Sequence, residues 1–360
     1  MGIGGLFSSK EDLLAVDIGS SSVKLVELDT TTTPYTLLNV AESALAPDTF
    51  VNNSIVKPEN VSAKIAELLE EKDFDADKAV VSMPGPSVFT KRMTMPKLSY
   101  SELKACLEME TANFLPPSVG SVKIDFHIIG EKSKNNYDLL VVAVKDEIVD
   151  SYIDAVSEAG LDVVLVDVDY FALQNCFELA YPELLSKTVT LIDMGSRYSG
   201  INICKGGQSL FTGDMTLGGK TFSEALVQEL GGSFEDAERQ KLGEGVGSAD
   251  AELVLEVLHK KAERVAAELN RQLSMFWNAS GAEGGIDNIF MTGGASLVPS
   301  LLEEISDKTG VPCERIDPLR GLKIDHDLDA AYLDEGRRTK LAIAVGMGIR
   351  HVGDRFDKDR

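Results

Sequence analysis

Short apolar runs alternate with amphipathic helical patterns along the first part of the chain. The runs at residues 13–17, 23–28 and 36–44 are separated by polar turns, which is typical of a β-meander. A helix is predicted over residues 58–71, because apolar side chains recur there at steps of three and four residues. A short strand at 79–83 follows. This alternation of strands and helices predicts an α/β protein.

The pattern changes between residues 87 and 166. A basic strand and a helix lead to two strands joined by a polar hairpin, and a further helix and strand follow. We interpret this block as a small inserted α+β subdomain. Beyond it the pattern predicts strands at 199–204, 209–215 and 286–292, and helices at 251–277, from residue 297 onward and at 339–349.

Three glycine-rich segments each follow an apolar run that predicts a buried strand. They are VDIGSSSVK at 16–24, LIDMGS at 191–196 and MTGGAS at 291–296. The first two repeat one design, in which a strand is followed by Asp, an apolar residue, Gly and a small hydroxyl residue. A repeat of this kind in the two halves of a chain predicts two related lobes that face a cleft.

The first turn has the residues of a phosphate site. Gly19, Ser20 and Ser21 allow the backbone to approach phosphate oxygens, and successive N–H groups form an anion-binding nest. Lys24 adds a positive charge. Asp17 lies where the strand ends and suits a Mg²⁺ ion held through water, because Mg²⁺ keeps much of its hydration shell.

The second turn supplies a similar nest and a second carboxylate. Gly195 and Ser196 follow Asp193, so Asp17 and Asp193 are expected to flank the phosphates from opposite lobes. Two carboxylates beside a triphosphate repel it, and a bound Mg²⁺ resolves that conflict. For Asp193 taken alone, the alternative interpretation is an ordinary carboxylate at the end of a strand, hydrogen-bonded by its neighbours.

The third turn contains Gly293, Gly294 and Ala295 between a strand and a predicted helix. A helix N-terminus favours anions, and paired glycines permit close approach to a purine or an α-phosphate. The segment is neither a Walker A loop nor a Rossmann fingerprint. One such turn is a weak signal, whereas three compatible turns in this order form a strong one.

Composition and charge narrow the class of protein. The chain has 360 residues, of which 44% are hydrophobic, and a net charge of −23. That charge argues against nucleic acid as a partner, because polyphosphate partners need a basic face. Four scattered cysteines predict reduced thiols in a reducing cytosol. No apolar run approaches the roughly 20 residues that span a bilayer, so no direct membrane span is predicted.

The three turns resemble the two phosphate motifs and the adenosine motif of the actin, sugar kinase and Hsp70 superfamily. Gly218 and Gly219 resemble the helix start that faces the phosphates in bacterial actins, and AERQKLG at 237–243 resembles their helix that contacts the ribose and base. The resemblance implies that ATP and Mg²⁺ are the cofactors, that Asp17 and Asp193 act at the catalytic centre, and that Glu238 and Lys241 contact adenosine.

The position of the insert narrows the resemblance to the FtsA and PilM group. Within it the chain is most similar to the PilM family, on the segments SMPG at 82–85, LPP at 115–117 and DVDYFAL at 167–173. The implied fold is the actin-like two-lobed ATPase fold, α/β, with duplicated RNase H-like domains and a small inserted α+β subdomain. The resemblance implies four parts. The first part of lobe I spans residues 1–86, the insert spans 87–166 and lobe II spans 167–338. A C-terminal helix and tail at 339–360 return to lobe I.

The resemblance also implies a function in type IV pilus biogenesis. The expected protein is a cytoplasmic, ATP-binding scaffold that lies at the inner membrane through its partners. It binds the N-terminal cytoplasmic tail of a PilN-like inner-membrane protein, with the insert as the docking region, and contacts other pilus motor or platform proteins. ATP hydrolysis is left open and, if it occurs, is expected to be slow.

Three alternatives share this superfamily. A metabolite kinase would use Asp193 as a general base. An FtsA-like division protein is disfavoured by the absence of a C-terminal amphipathic helix, and a type II secretion L-type protein by the absence of a membrane span. Gln174 and Glu178 precede the second motif and could position an attacking water, but a helix surface is their expected location.

Overall fold

The computed structural model describes residues 12–51, 54–115, 119–244, 251–280 and 284–354. Pro116 and Pro117, which carry part of the family resemblance, lie outside the described residues. The same is true of residues 1–11 and 355–360 at the two ends of the predicted division. The strands, numbered along the chain, are β1 (Leu14–Ile18), β2 (Ser22–Asp29), β3 (Thr36–Ala44), β4 (Phe50–Val51), β5 (Ser54–Ile55), β6 (Lys78–Met83), β7 (Val88–Pro96), β8 (Val122–Ser133), β9 (Asn136–Lys145), β10 (Asp162–Val168), β11 (Val189–Met194), β12 (Ser199–Lys205), β13 (Gln208–Met215), β14 (Asn288–Thr292), β15 (Cys313–Arg315) and β16 (Lys323–Ile324). The helices are α1 (Pro58–Glu71), α2 (Tyr100–Phe114), α3 (Asp146–Glu158), α4 (Asp169–Ala180), α5 (Lys220–Leu230), α6 (Phe234–Lys241), α7 (Ala251–Ser280), α8 (Leu301–Thr309), α9 (Glu335–Arg338) and α10 (Ala342–Gly348).

Two large sheets share one strand order. The six-stranded sheet runs β10-β6-β1-β2-β3-β16, and the five-stranded sheet runs β13-β12-β11-β14-β15. In the first, β1, β2 and β3 pair antiparallel, while β6 and β10 continue parallel to β1. In the second, β11, β12 and β13 pair antiparallel, and β14 and β15 continue parallel to β11. The two lobes are therefore structural repeats, and β1 corresponds to β11.

Each central strand is buried on both faces. In β1, Leu14 and Val16 pack into the outer core of the first lobe, whereas Ala15 faces the core between the lobes. In β11, Leu191 faces that shared core and Ile192 faces the outer core of the second lobe. This double burial explains why these strands read as continuous apolar runs rather than as alternating patterns.

The lobes are joined where α4 crosses α10. Gly346 of α10 lies so close to α4 that an added Cβ would stand 1.7 Å from the carbonyl oxygen of Ala172. Both helices, with β1 and β2 on one side and β11 on the other, contribute to one buried cluster. The predicted C-terminal helix thus packs on lobe I, but it spans Ala342–Gly348 rather than 339–349.

The insert contains a small separate sheet whose strands lie between residues 88 and 145. Its three-stranded sheet has the order β7-β9-β8, and α2 covers one face through Leu103 and Leu107. The predicted block extended to residue 166, but β10 pairs with β6 in the first sheet, and α3 packs into the outer core of the first lobe. We propose that the insert proper comprises residues 88–145.

Two helices predicted from the sequence compare differently with the structure. Helix α1 has the predicted bounds and begins at Pro58, where the missing N–H of proline costs nothing. The helix predicted from residue 297 is wrong at its start, because a single 3₁₀ turn occupies Gly294–Leu297 and α8 begins at Leu301. Pro299 lies between them and separates the two helical segments.

We expect Gly346→Ala to destabilise the protein by on the order of 3 kcal/mol, because the new Cβ would overlap the α4 backbone and neither helix can move without opening the shared core. Denaturant unfolding measures this. The matched control is Gly285→Ala, where an added Cβ meets nothing within 4 Å. Equal unfolding free energies for the two variants would contradict the close helix crossing.

Candidate functional site

Two equivalent hairpin turns connect the first two strands of each lobe. Between β1 and β2, the N–H of Gly19 donates to the carbonyl of Ser22 at 3.0 Å. Between β11 and β12, the N–H of Gly195 donates to the carbonyl of Tyr198 at 3.1 Å. The predicted repeat in sequence is thus a repeat in hydrogen bonding, and Tyr198 takes the place in lobe II that Ser22 takes in lobe I.

Strand pairing places a lysine opposite the first aspartate. Asp17 on β1 pairs with Lys24 on β2, and Lys24 Nζ lies 2.9 Å from Asp17 Oδ2 with both side chains about a tenth exposed. Burial alone would lower the pKa of Lys24, but the negative charges of Asp17, Glu42 and Asp193 outweigh it and raise the pKa above its usual value. Lys24 therefore stays charged, bonded to Asp17 and within electrostatic reach of Asp193 in the other lobe.

The second aspartate lies in the field of the first. Burial, followed by the charge of Asp17, raises the pKa of Asp193 to about 6, although Lys24 opposes the shift. The two predicted carboxylates are thus brought together across the cleft, and their mutual repulsion is only partly relieved by one lysine. A divalent cation between them would offset this repulsion and favour the ionised form of Asp193.

Asp169 is a third carboxyl group at this place, and sequence reasoning missed it. It is the first residue of α4, and its side chain accepts a 2.6 Å hydrogen bond from Ser82 Oγ. Burial, and then the charge of Asp17, raise its pKa well above the usual range. A carboxyl group with a raised pKa beside a phosphate site can take a proton from a water molecule. The available signal was its place in the segment DVDYFAL at 167–173, directly after a predicted strand.

Gly218 and Gly219 pack directly against the backbone of the second turn. A Cβ on Gly218 would stand 2.6 Å from the carbonyl oxygen of Ser196, and the N–H of Gly219 donates to the carbonyl of Gly195 at 2.9 Å. Residues with side chains would separate these segments. The backbone is therefore held against the second turn, as a phosphate-binding surface requires.

Lys241 and Glu238 extend the same cluster. Lys241 Nζ lies 2.8 Å from both carboxylate oxygens of Glu238 and 3.4 Å from the carbonyl of Gly219, and Lys241 is buried. Ser223 Oγ donates to Glu238. A Cβ added at Gly219 would lie 3.3 Å from the Cβ of Ala295. Lys241 is thus held beside the second turn, whereas the side chain of Glu238, its salt-bridge partner on the same helix, is 41% exposed.

The third turn meets the second at Gly293. Its φ is +83°, and an added Cβ would stand 2.5 Å from Asp193 Oδ1, so a glycine is needed here for both conformation and space. Its N–H donates to the carbonyl of Thr339 at 3.1 Å. The predicted helix N-terminus behind Gly294 and Ala295 is absent, because a 3₁₀ turn stands there, so this segment offers close approach without a helix dipole.

The remaining predicted residues fall into two groups. Ser20 is half-buried and Ser21 is exposed on the first turn, and neither hydroxyl group has a hydrogen bond to another described residue. Gln174 donates to Glu178 at 2.7 Å and accepts from Asn202 at 3.1 Å, so these side chains are bonded to one another and to β12 rather than to the carboxylates. The glycine lining, the free serine hydroxyls and the paired carboxylates together fit Mg·ATP.

The duplicated sheets and their facing hairpin turns define an actin-like, two-lobed α/β protein. The chain belongs to the family described as type IV pilus assembly protein PilM, whose model matches residues 15–352. Membership assigns the chain to type IV pilus assembly and confirms the family and the fold that the sequence predicted.

Two solved structures illustrate the fold. A structure of a PilM-PilN type IV pilus biogenesis complex is 23% identical, covers 96% of this chain and 99% of its own, and has a TM-score of 0.80. Ethanolamine utilization protein EutJ from Carboxydothermus hydrogenoformans is 14% identical, covers 95% of this chain and 90% of its own, and has a TM-score of 0.58. Within the described residues, no helix has the length and apolarity to cross a membrane.

The raised pKa of Asp193 predicts how stability depends on pH. The folded state binds this proton more tightly than the unfolded chain does, so the Asp193 contribution falls as pH rises from about 4 through about 6. Without metal or nucleotide, Asp193→Asn should therefore be more stable than the parent at pH 8, with the difference shrinking at pH 5. Urea unfolding at both pH values checks this, and an equal loss of stability at both would contradict it.

Proposed function

We propose that this chain is an ATP-binding scaffold of type IV pilus assembly, whose cleft holds Mg·ATP between the two hairpin turns. The single observation that carries the proposal is the convergence of Asp17, Lys24 and Asp193 between equivalent turns of opposite lobes. A ligand bound there contacts both lobes at once, so nucleotide state and lobe arrangement are linked.

Each part of the nucleotide has a matching surface. The N–H of Gly19 is bonded to Ser22, so the hydroxyls of Ser20 and Ser21 and the N–H groups beyond Gly19 would face the phosphates, with the second turn opposite them. Asp17 and Asp193 would hold Mg²⁺ through its water ligands, since Mg²⁺ dehydrates reluctantly. Gly218 and Gly219 line the phosphate side, while Glu238, Lys241 and the turn at 293–295 hold adenosine. The bound metal supplies the positive charge that one lysine cannot.

Slow hydrolysis is consistent with the same site. Asp169 is the carboxyl group best suited to accept a proton from a water, because burial and Asp17 raise its pKa. Burial nevertheless favours the neutral form of Asp169, which cannot take a proton, so we expect turnover to be slow. This supports a structural use of ATP over the metabolite kinase alternative, for which no substrate-specific observation stands out.

We further propose that the insert docks the N-terminal cytoplasmic tail of a PilN-like inner-membrane protein, which would hold this chain at the inner membrane. The likeness to a PilM-PilN complex over nearly the whole chain supports the choice of partner. Other motor or platform proteins would assemble around this pair.

The insert belongs to lobe I by chain connection but also contacts lobe II. Thr90 Oγ1 on β7 lies 2.8 Å from Thr212 Oγ1 on β13. The ring of Tyr170, the residue after Asp169, packs so closely on Gly85 that an added Cβ would stand 2.5 Å from its Cζ atom. Gly85 begins the turn that leads into β7. A structural change at Asp169 would therefore reach the proposed docking region through the contact between Tyr170 and Gly85.

Mg·ATP should raise the thermal midpoint of the intact chain, because a ligand specific to the folded state stabilises it by about 2.7 kcal/mol at a hundredfold excess over its Kd. EDTA should remove most of the shift. Ser21→Glu adds a negative charge to the exposed tip of the first turn and should abolish it, whereas Ser274→Glu, an equally exposed change on α7, should not. The nucleotide proposal fails if the parent shows no shift or if both variants respond alike.

A peptide of the PilN-like tail should slow hydrogen exchange mainly within residues 88–145, because binding covers the insert. The comparison is between the free chain and the complex, each with Mg·ATP present. Thr90→Val removes the hydroxyl contact to β13 and should weaken the dependence of peptide affinity on ATP, with Thr94→Val, an exposed position on the same strand, as the control. Protection confined to lobe II would exclude the insert as the docking region.

A further inference from the structure

A cavity of about 500 Å³ lies in lobe II and includes none of the residues assigned to the nucleotide site. Residues 214–217, at the end of β13 and just beyond it, form one wall. One face of α7 forms the other wall, with Lys261, Arg264 and Glu268 among its residues. Its volume is within the range of small-molecule sites in proteins, roughly 300–1,000 Å³.

The carboxylates around this cavity are already engaged. Glu268 binds Arg271 through two hydrogen bonds, of 2.8 Å and 2.5 Å, and also accepts from Gln272 at 3.0 Å. Asp214 accepts a 2.5 Å hydrogen bond from the hydroxyl of Tyr170.

Glu224, whose charge also reaches Lys261, lies 3.6 Å from Lys220 in an ion pair of its own. The acidic groups are therefore each committed to another partner.

Two further cations line the cavity, the half-buried Lys261 and the exposed Arg264. Lys261 and Arg264 are three residues apart on α7, a spacing that brings side chains together on one helix face. Neither forms a hydrogen bond or an ion pair with another of the described residues. Burial, and then the charge of Arg264, lower the pKa of Lys261. The two positive charges repel each other on one helix face, and a bound anion would relieve that repulsion.

We propose that this cavity is a binding site for a small organic phosphate, held by Lys261 and Arg264. Two adjacent positive charges match the charge of about −2 on a phosphate monoester near neutral pH. Arginine can bind two phosphate oxygens at once, while lysine acts as a point charge. Met215 and Val265 supply a buried apolar surface for the organic part. This proposal does not depend on the ATP proposal, because the two sites share no residue.

The test uses calorimetry on the full chain with phenyl phosphate, inorganic phosphate and phenol at low ionic strength. Phenyl phosphate has no purine and carries both the charge and an apolar ring. Lys261→Gln with Arg264→Gln should weaken its binding at least tenfold. The control is Lys260→Gln, which removes an equal charge from the same helix at a residue paired with Glu256 outside the cavity. Because the two cations repel each other, the double variant should fold, and Arg264→Gln alone is a milder second variant.

Tighter binding of phenyl phosphate than of inorganic phosphate would support an organic phosphate as the ligand. Equal affinities would indicate a site for free phosphate and would overturn the assignment of an organic ligand. Binding that persists in Ser21→Glu but is lost in the cavity variant separates this site from the nucleotide cleft. Binding unchanged by the cavity variant, or no saturable binding by the parent, overturns the proposal.

Discussion

Electrostatic crowding at the junction of the lobes is the constraint on which the rest of this structure depends. Asp17, Asp169 and Asp193 lie in one another's electrostatic field, and the cost of burying negative charge is visible in the raised pKa values of two of these carboxyl groups. A fold retains such a cluster only when something offsets its cost. The proposed metal–nucleotide complex would offset it and, in doing so, would tie one lobe to the other.

The architecture explains how residues so far apart in the chain reach one place. Each sheet carries its glycine turn at the end of its central strand, and the crossing of α4 and α10 at Gly346 holds the two sheets so that these ends face each other. Asp169 begins the same α4 that forms this crossing. The helix crossing and the third carboxyl group therefore share one helix, so a change in the angle between the lobes would alter the electrostatic field at the carboxylates.

Much of this could be predicted from the sequence because its signals are local. The glycine turns, the Asp-x-Gly repeat and α1 depend on residues that are neighbours in the chain, and the structure has them as predicted. The role of Asp169 and the end of the insert depend on β10 pairing with β6, which lies about 80 residues earlier, and no local pattern reports such a pairing. The 3₁₀ turn at Gly294–Leu297 was missed because periodicity alone does not distinguish it from a first helical turn.

The most direct test of the account is a crystal structure with Mn·ATP, since Mn²⁺ takes the oxygen ligands that Mg²⁺ takes and can be located by its anomalous scattering. The account predicts one strong anomalous peak between Asp17 and Asp193, with the phosphates against the turns at Gly19 and Gly195. Manganese and nucleotide bound anywhere outside that cleft would contradict it.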